Sequence, residues 1–243
     1  MRFDVLTLFP EFIQSYCEFS ILKRAKESDV ITLNAINPRD FTEDKHKKVD
    51  DTPYGGGAGM VLMAQPYVDA YDSIEKLDNS ITVMLSPQGE PLSESLVLDL
   101  AKCDQIIMLC GHYEGFDERI REIIKPKEIS LGDFVLTGGE LPALCLIDAV
   151  SRKLEGTLGK IESAHADSFF DGLLEHPHYT KPYEYRGMKV PDVLLSGNHA
   201  QINRWRRKEQ LKRTKERRPD LFEKFLKTEL SKEDKILVKE LEE

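Results

Sequence analysis

Three short loops carry the residues best suited to hold a small ligand through main-chain atoms. They are Ser86-Pro87-Gln88-Gly89, then Gly111-His112-Tyr113-Glu114-Gly115, then the longer Ser130-Leu131-Gly132-Asp133-Phe134-Val135-Leu136-Thr137-Gly138-Gly139-Glu140-Leu141-Pro142. Each follows an apolar run. Glycine lets backbone come close to a ligand and leaves N–H and C=O groups exposed for recognition. A plain turn is the simpler reading of any one of these loops. Three of them in one half of a chain favour a pocket, because loops that follow parallel strands converge on the carboxyl edge of a sheet.

A second feature is charge. The whole chain carries a formal net charge of −9, which by itself argues against a nucleic-acid partner. The average hides a local reversal. Between His199 and Pro219 stand Arg204, Arg206, Arg207, Lys208, Lys212, Arg213, Lys215, Arg217 and Arg218, opposed only by Glu209 and Glu216. Polyanion binding is judged from such a segment and not from the sum. Trp205 lies among these arginines, a composition that suits phosphate contact beside a stacking platform for an unpaired base. A solvated amphipathic helix is the plain alternative. His165, His176, His178 and His199 lie in loops broken by proline and glycine and lack a cysteine pair, so surface or structural roles are favoured over metal binding. Cys17, Cys103, Cys110 and Cys145 show no CxxC spacing and read as free thiols in a reducing compartment.

The elements that must position these loops can be read from periodicity. Phe3–Phe9, Val30–Ile36, Ile81–Leu85 and Gln105–Cys110 are short runs rich in Val, Ile and Leu. Glu11–Ala25, Tyr67–Ile74, Ser93–Ala101, Phe116–Ile124 and Leu141–Leu154 carry apolar residues at helical spacing. This alternation predicts an α/β domain: a parallel sheet with helices on both faces. Two stretches interrupt it. Residues 37–63 are polar and glycine-rich around Asp50, Asp51 and the run Pro53-Tyr54-Gly55-Gly56-Gly57-Ala58-Gly59-Met60, and residues 156–171 have no period. Loops of that length in compact domains tend to be functional. The two aspartates read as caps. Composition changes after Asp171, and helices are predicted over His199–Thr214, Pro219–Lys227 and Ser231–Leu241, the first capped from Ser196-Gly197-Asn198. The expected organisation is a domain over 1–158, an interdomain linker at 159–171 and a small helical domain over 172–243.

The 243 residues, 40% hydrophobic, suffice for a sizeable core. Mean hydropathy is −0.41, and no apolar run approaches the ~20 residues of a membrane span. Met1-Arg2-Phe3-Asp4 leads directly into a strand pattern, so no secretory signal is expected and a cytoplasmic location is. The GxGxxG, GxxxxGK[ST] and HExxH fingerprints are absent, which disfavours a dehydrogenase, a P-loop nucleotidase and a zinc protease.

Taken together, SPQG, GHYEGFDER, LGDFVLTGGELPA, DTPYGGGAGM, HPHYTKP and LLSGNHAQINRWRR closely resemble, in order and over nearly the whole chain, the TrmD family of bacterial tRNA (guanine-37-N1)-methyltransferases. The resemblance implies a SPOUT-type parallel sheet whose C-terminal part is tied into a deep trefoil knot, an exception to the usual topology rules. It implies a bent S-adenosylmethionine held by Ser86, Pro87, Gln88, Gly111, Tyr113, Leu131, Gly132, Phe134, Leu136, Gly138, Gly139 and Pro142. Phe134 stands where relatives often have Tyr, and His112 where many have Arg. It also implies a homodimer, tRNA as the partner, no membrane association, and magnesium in the methyl-transfer step, with metal ligands that the sequence does not identify.

For the chemistry the resemblance points to Asp167, in Ala166-Asp167-Ser168-Phe169, as general base, to Arg152 as the cation facing the guanine carbonyl oxygen, and to Glu114 facing the base. Guanine N1 carries a proton and is a poor nucleophile until it is removed. An ordinary carboxylate is a weak base at neutral pH, so charge that develops on the carbonyl oxygen must be stabilised by a donor. Without the resemblance, Asp167 reads as a solvated loop residue and Arg152 as a cation favoured at a helix C-terminus. The alternatives are a related enzyme acting on ribosomal RNA, a non-catalytic RNA-binding module, and a nicotinamide-dependent dehydrogenase.

Overall fold

A computed structural model of the chain describes residues 1–158 and 167–241. The chain divides into two compact units, Met1–Gly159 and Lys160–Glu243.

The first unit begins with β1 (Arg2–Leu6), α1 (Pro10–Tyr16), α2 (Ser20–Glu27), β2 (Thr32–Ile36), a two-residue β3 (Asp50–Asp51) and β4 (Val61–Leu62). It continues through α3 (Ala64–Asp72), β5 (Ser80–Pro91), α4 (Glu94–Leu100), β6 (Gln105–Cys110), α5 (Glu118–Ile124), β7 (Lys127–Ser130) and α6 (Glu140–Ser151). The main sheet has the order β2-β1-β6-β5-β7, and every pairing in it is parallel. Alternate side chains of each strand enter opposite cores. Ile106, Met108 and Cys110 of β6 pack with α1, α2, α4 and α6, whereas Ile107 and Leu109 pack with α3 and α5. Both faces are thus covered, and the strands read as apolar runs for that reason. Asp4 is the exception inside β1. Its buried carboxylate is satisfied by Arg2 Nε (2.9 Å), Asn34 Nδ2 (2.8 Å) and Gln105 Nε2 (2.7 Å).

Four departures from the sequence reading have physical causes. The single helix expected over Glu11–Ala25 is two, because Phe19 is extended and Ser20 takes φ +52°. Strand β7 carries Lys127 and Glu128 and shows no apolar run, yet it closes the sheet edge. Strand β5 does not stop at Leu85: it bulges through Ser86–Gly89 and pairs with β7 again at Glu90 and Pro91. Asp50 and Asp51 are not caps; they pair with Leu62 and Val61 in a small antiparallel ribbon.

The second unit contains a short hairpin, β8 (Glu184–Tyr185) with β9 (Met188–Lys189), followed by α7 (His199–Arg217), α8 (Pro219–Leu226) and α9 (Lys232–Glu240). Asn198 caps α7 by accepting from the amide of Gln201 at 3.2 Å, and Ser231 caps α9. Leu173, Leu211, Phe222, Phe225 and Leu237 form its core. Among the described residues no helix is long and apolar enough to cross a membrane.

Candidate ligand pocket and basic helix

The Ser86–Gly89 bulge of β5 and the loops that follow β6 and β7 meet around a cavity of about 340 Å³. Every residue expected from the three loops lines it, from Ser86, Pro87 and Gln88 through Gly111 and Tyr113 to Leu131, Gly132, Phe134, Leu136, Gly138, Gly139 and Pro142. The size suits a small organic ligand. Gly111, Gly115, Gly132, Gly138 and Gly139 stand among its lining residues. The amide of Gly139 donates to the carbonyl of Gly111 at 2.8 Å, which ties the last loop to the second. A Cβ on Gly139 would lie 2.7 Å from the Cα of Cys110, so the two backbones can touch only because the residue is glycine. Tyr113 takes φ +58°, a costly conformation for a residue with a side chain, and leaves its ring half exposed beside the pocket.

The sequence reading missed several wall residues. His112, Thr137 and Arg121 also line the cavity. Arg121 sits on α5 and bonds Glu128 Oε1 at 3.1 Å and Glu118 Oε2 at 2.9 Å. Nothing in the helical period of α5 marks it. Beneath the pocket, burial and then the nearby Glu140 hold the Cys110 thiol well above its usual range, so this cysteine is neutral packing and not a nucleophile.

The three residues expected for the chemistry are not all brought to this cavity. Glu114 lines it. Arg152 is the C-cap of α6 and lines a separate apolar cleft with Phe12, Tyr16, Phe19, Leu141 and Cys145. Asp167 belongs to the second unit. Positions 159–166, including His165 and most of the expected linker, lie outside the described residues. As for magnesium, Glu114 is the one carboxylate among the described residues lining the cavity. That donor set does not make a dedicated octahedral oxygen site. The one group among the described residues that could gather three metal ligands is Glu175, His176 and His178 in the second unit. There His178 Nε2 and Glu175 Oε1 are already hydrogen-bonded at 2.7 Å.

Helix α7 divides its basic residues between two tasks. Arg204 and Lys208 pair with Glu240 of α9, and Arg207 pairs with Asp171 and Asp234. Arg206, Arg213 and Arg217, one stripe at helical spacing, form no ion pair among the described residues. The ring of Tyr179 lies 6.3 Å from that of Trp205. Local charge is therefore smaller than the sequence count suggests, because several of its members brace the helices.

A doubly covered parallel sheet with a glycine-lined pocket at its carboxyl edge defines a ligand-binding α/β domain, here followed by a basic helical unit. The profile of the family described as tRNA (Guanine-1)-methyltransferase TrmD matches residues 1–224, and the chain belongs to that family. It is 56% identical over 243 residues to a tRNA (guanine-N(1)-)-methyltransferase of Dehalococcoides mccartyi strain CBDB1, covering 99% of this chain and 97% of the relative. A protein of the same name from Desulforamulus reducens is 51% identical over 245 residues, covering 100% and 95%. One from Bacillus pumilus is 54% identical over 228 residues, covering 92% of each.

Proposed function

We propose that this chain methylates N1 of guanosine 37 in tRNA, using S-adenosylmethionine, as a cytoplasmic homodimer. The observation that carries the reading is the cavity closed by three loops of a TrmD-family chain, walled by Gly111, Gly138 and Gly139. The close approach at Gly139 packs the third loop's backbone against the second and so sets the shape of the cavity in which an adenosyl group would be held. These loops would constitute the deep trefoil knot of the family.

S-adenosylmethionine supplies a methyl group on a sulfonium when bound. The residues of this chain do the rest. The three loops would hold the cofactor beside the base, and that positioning would supply much of the rate. Asp167 takes the N1 proton. Arg152 donates to the guanine carbonyl oxygen as it gains charge. Glu114, on the pocket wall, faces the base. The helical unit binds tRNA through the unpaired stripe of α7, with Trp205 available for stacking.

A dimer accounts for one exposed surface of the first unit. Phe12, Tyr16, Phe19 and Leu141 are exposed, Phe19 at 71%, around the cleft that also holds Arg152. Apolar surface of this kind is suited to burial against a second copy. In the dimer, cofactor held by one protomer would meet the tRNA-binding unit of its partner. The deciding experiment incubates the purified chain with radiolabelled S-adenosylmethionine and separate pools of tRNA and ribosomal RNA, then maps the modified nucleoside. 1-Methylguanosine at position 37 of tRNA is expected; label confined to ribosomal RNA, or to another nucleoside, would overturn the reading.

A further inference from the structure

Glu140 is the first residue of α6 and is only 5% exposed. A carboxylate so far from water needs partners, and it has two. Oε1 accepts from the Thr7 hydroxyl at 2.6 Å, and Oε2 lies 2.7 Å from Nε2 of His112. Thr7 follows β1, His112 follows β6, and Glu140 ends the long loop after β7. One side chain thus joins three segments that are far apart in sequence, reaching back 133 residues to Thr7 and 28 to His112.

The join lies directly against the pocket. His112 lines the cavity and bridges Gly138 through the backbone. A Cβ on Gly138 would overlap the His112 ring and lie 2.6 Å from Glu140 Oε2, so the glycine is required by the pair behind it. Phe9 closes the other side of the imidazole, with ring centroids 5.0 Å apart. Nothing in this arrangement puts Glu140 itself on the cavity wall.

We propose that Glu140 is a positioning residue for the cofactor. It clamps His112 between Thr7 and the start of α6, and so fixes the spacing of the Gly111–Gly115 and Gly138–Gly139 main chains that grip the ligand. The proposal rests on the reading of this pocket as the S-adenosylmethionine site. Because the clamp acts on the cofactor loops, its loss weakens the hold on cofactor and leaves the hold on RNA alone. A general packing role would lower thermal stability and affect both substrates alike.

The test uses the full chain with tRNA, S-adenosylmethionine and S-adenosylhomocysteine. Glu140→Gln removes the charge with little change of shape, and Thr7→Val removes one hydroxyl at constant volume and keeps the test open should the first variant fold poorly. Each is expected to raise the KM for S-adenosylmethionine and the calorimetric Kd for S-adenosylhomocysteine, by about tenfold for Glu140→Gln, while the KM for tRNA stays near that of the parent. His112→Arg, which keeps N–H donors aimed at the carboxylate, is expected to retain more cofactor affinity than His112→Ala. Unchanged cofactor constants in both Glu140→Gln and Thr7→Val would overturn the clamp while leaving the pocket assignment intact. A parent protein that takes up neither cofactor would instead remove the pocket assignment, and the clamp with it.

Discussion

Gly59 lies directly against the Glu114 side chain. A Cβ at position 59 would fall on the Glu114 carboxylate, 2.6 Å from its Cγ, and the Glu114 amide donates to the carbonyl of the next residue, Met60, at 3.0 Å. The glycine-rich run at 55–59 is therefore tied to the pocket wall at its last member, although β3 and β4 hold its ends in a separate ribbon. Gly59→Ala should displace Glu114 and also strain a backbone at φ +82°. Single-turnover methylation is expected to slow by about tenfold or more, as for loss of one aligned group, with S-adenosylhomocysteine affinity unchanged. Parental turnover would mean that the placement of Glu114 does not matter.

Asp167→Asn keeps the size of the side chain and removes its basicity. It should bind cofactor and tRNA normally and lose about 10²–10⁴-fold in methyl transfer. Subunit mixing then tests whether the site is shared. Mixing this variant with one blocked in the pocket, Gly139→Leu, should restore about a quarter of parental activity, since half the dimers are mixed and each has one intact site. No recovery would place base and cofactor in the same protomer.

The division of labour along α7 predicts two different phenotypes. Alanine at Arg206, Arg213 or Arg217 should weaken tRNA binding and reduce its dependence on salt, by about one charge each in the slope of log affinity against log salt. Alanine at Arg207 should leave Asp234, a mostly buried carboxylate, without its principal partner. That is expected to destabilise the helical unit by about 2–3 kcal/mol in urea unfolding. Equal effects of all four on tRNA affinity and none on stability would contradict this division.

His176 gives the second unit a pH dependence. Burial, then the neighbouring His178 and Arg206, push its imidazole below the usual histidine range against the opposing pull of the Pro177 carbonyl. The folded state therefore binds fewer protons than the unfolded state just below the ordinary histidine value, and stability falls as pH drops through that window. Urea midpoints of the full chain at pH 7.5 and 5.5 should differ in that direction for the transition of the helical unit, and His176→Gln should reduce the difference. A midpoint that rises on acidification would refute it.

The sheet and its loops were largely legible from residue pattern, and the reasons are local. Gln105–Cys110 is buried on both sides and so reads as one apolar run; its bounds match the strand. Strand β7 was invisible because an edge strand has one neighbour and tolerates Lys127 and Glu128. The break between α1 and α2 was invisible because Ser20 with φ +52° has no sequence signature. Glycine loops announced the pocket, since close approach restricts residue type. Glu140 stood within the third glycine loop, ahead of the helix expected from Leu141, and nothing in its neighbours singled it out. Only the fold brings Thr7 and His112 to its two oxygens. The count of basic residues overstated the free charge on α7, because Glu240 and Asp234 lie too far along the chain to be recognised as partners.

The amide of Gly139 is already engaged by the Gly111 carbonyl before any ligand arrives. Capture of a small molecule there does not have to begin by gathering loose strands of chain, so little conformational freedom is surrendered on docking. Ligand entry then resembles a key meeting a finished lock, and affinity reflects the contacts themselves.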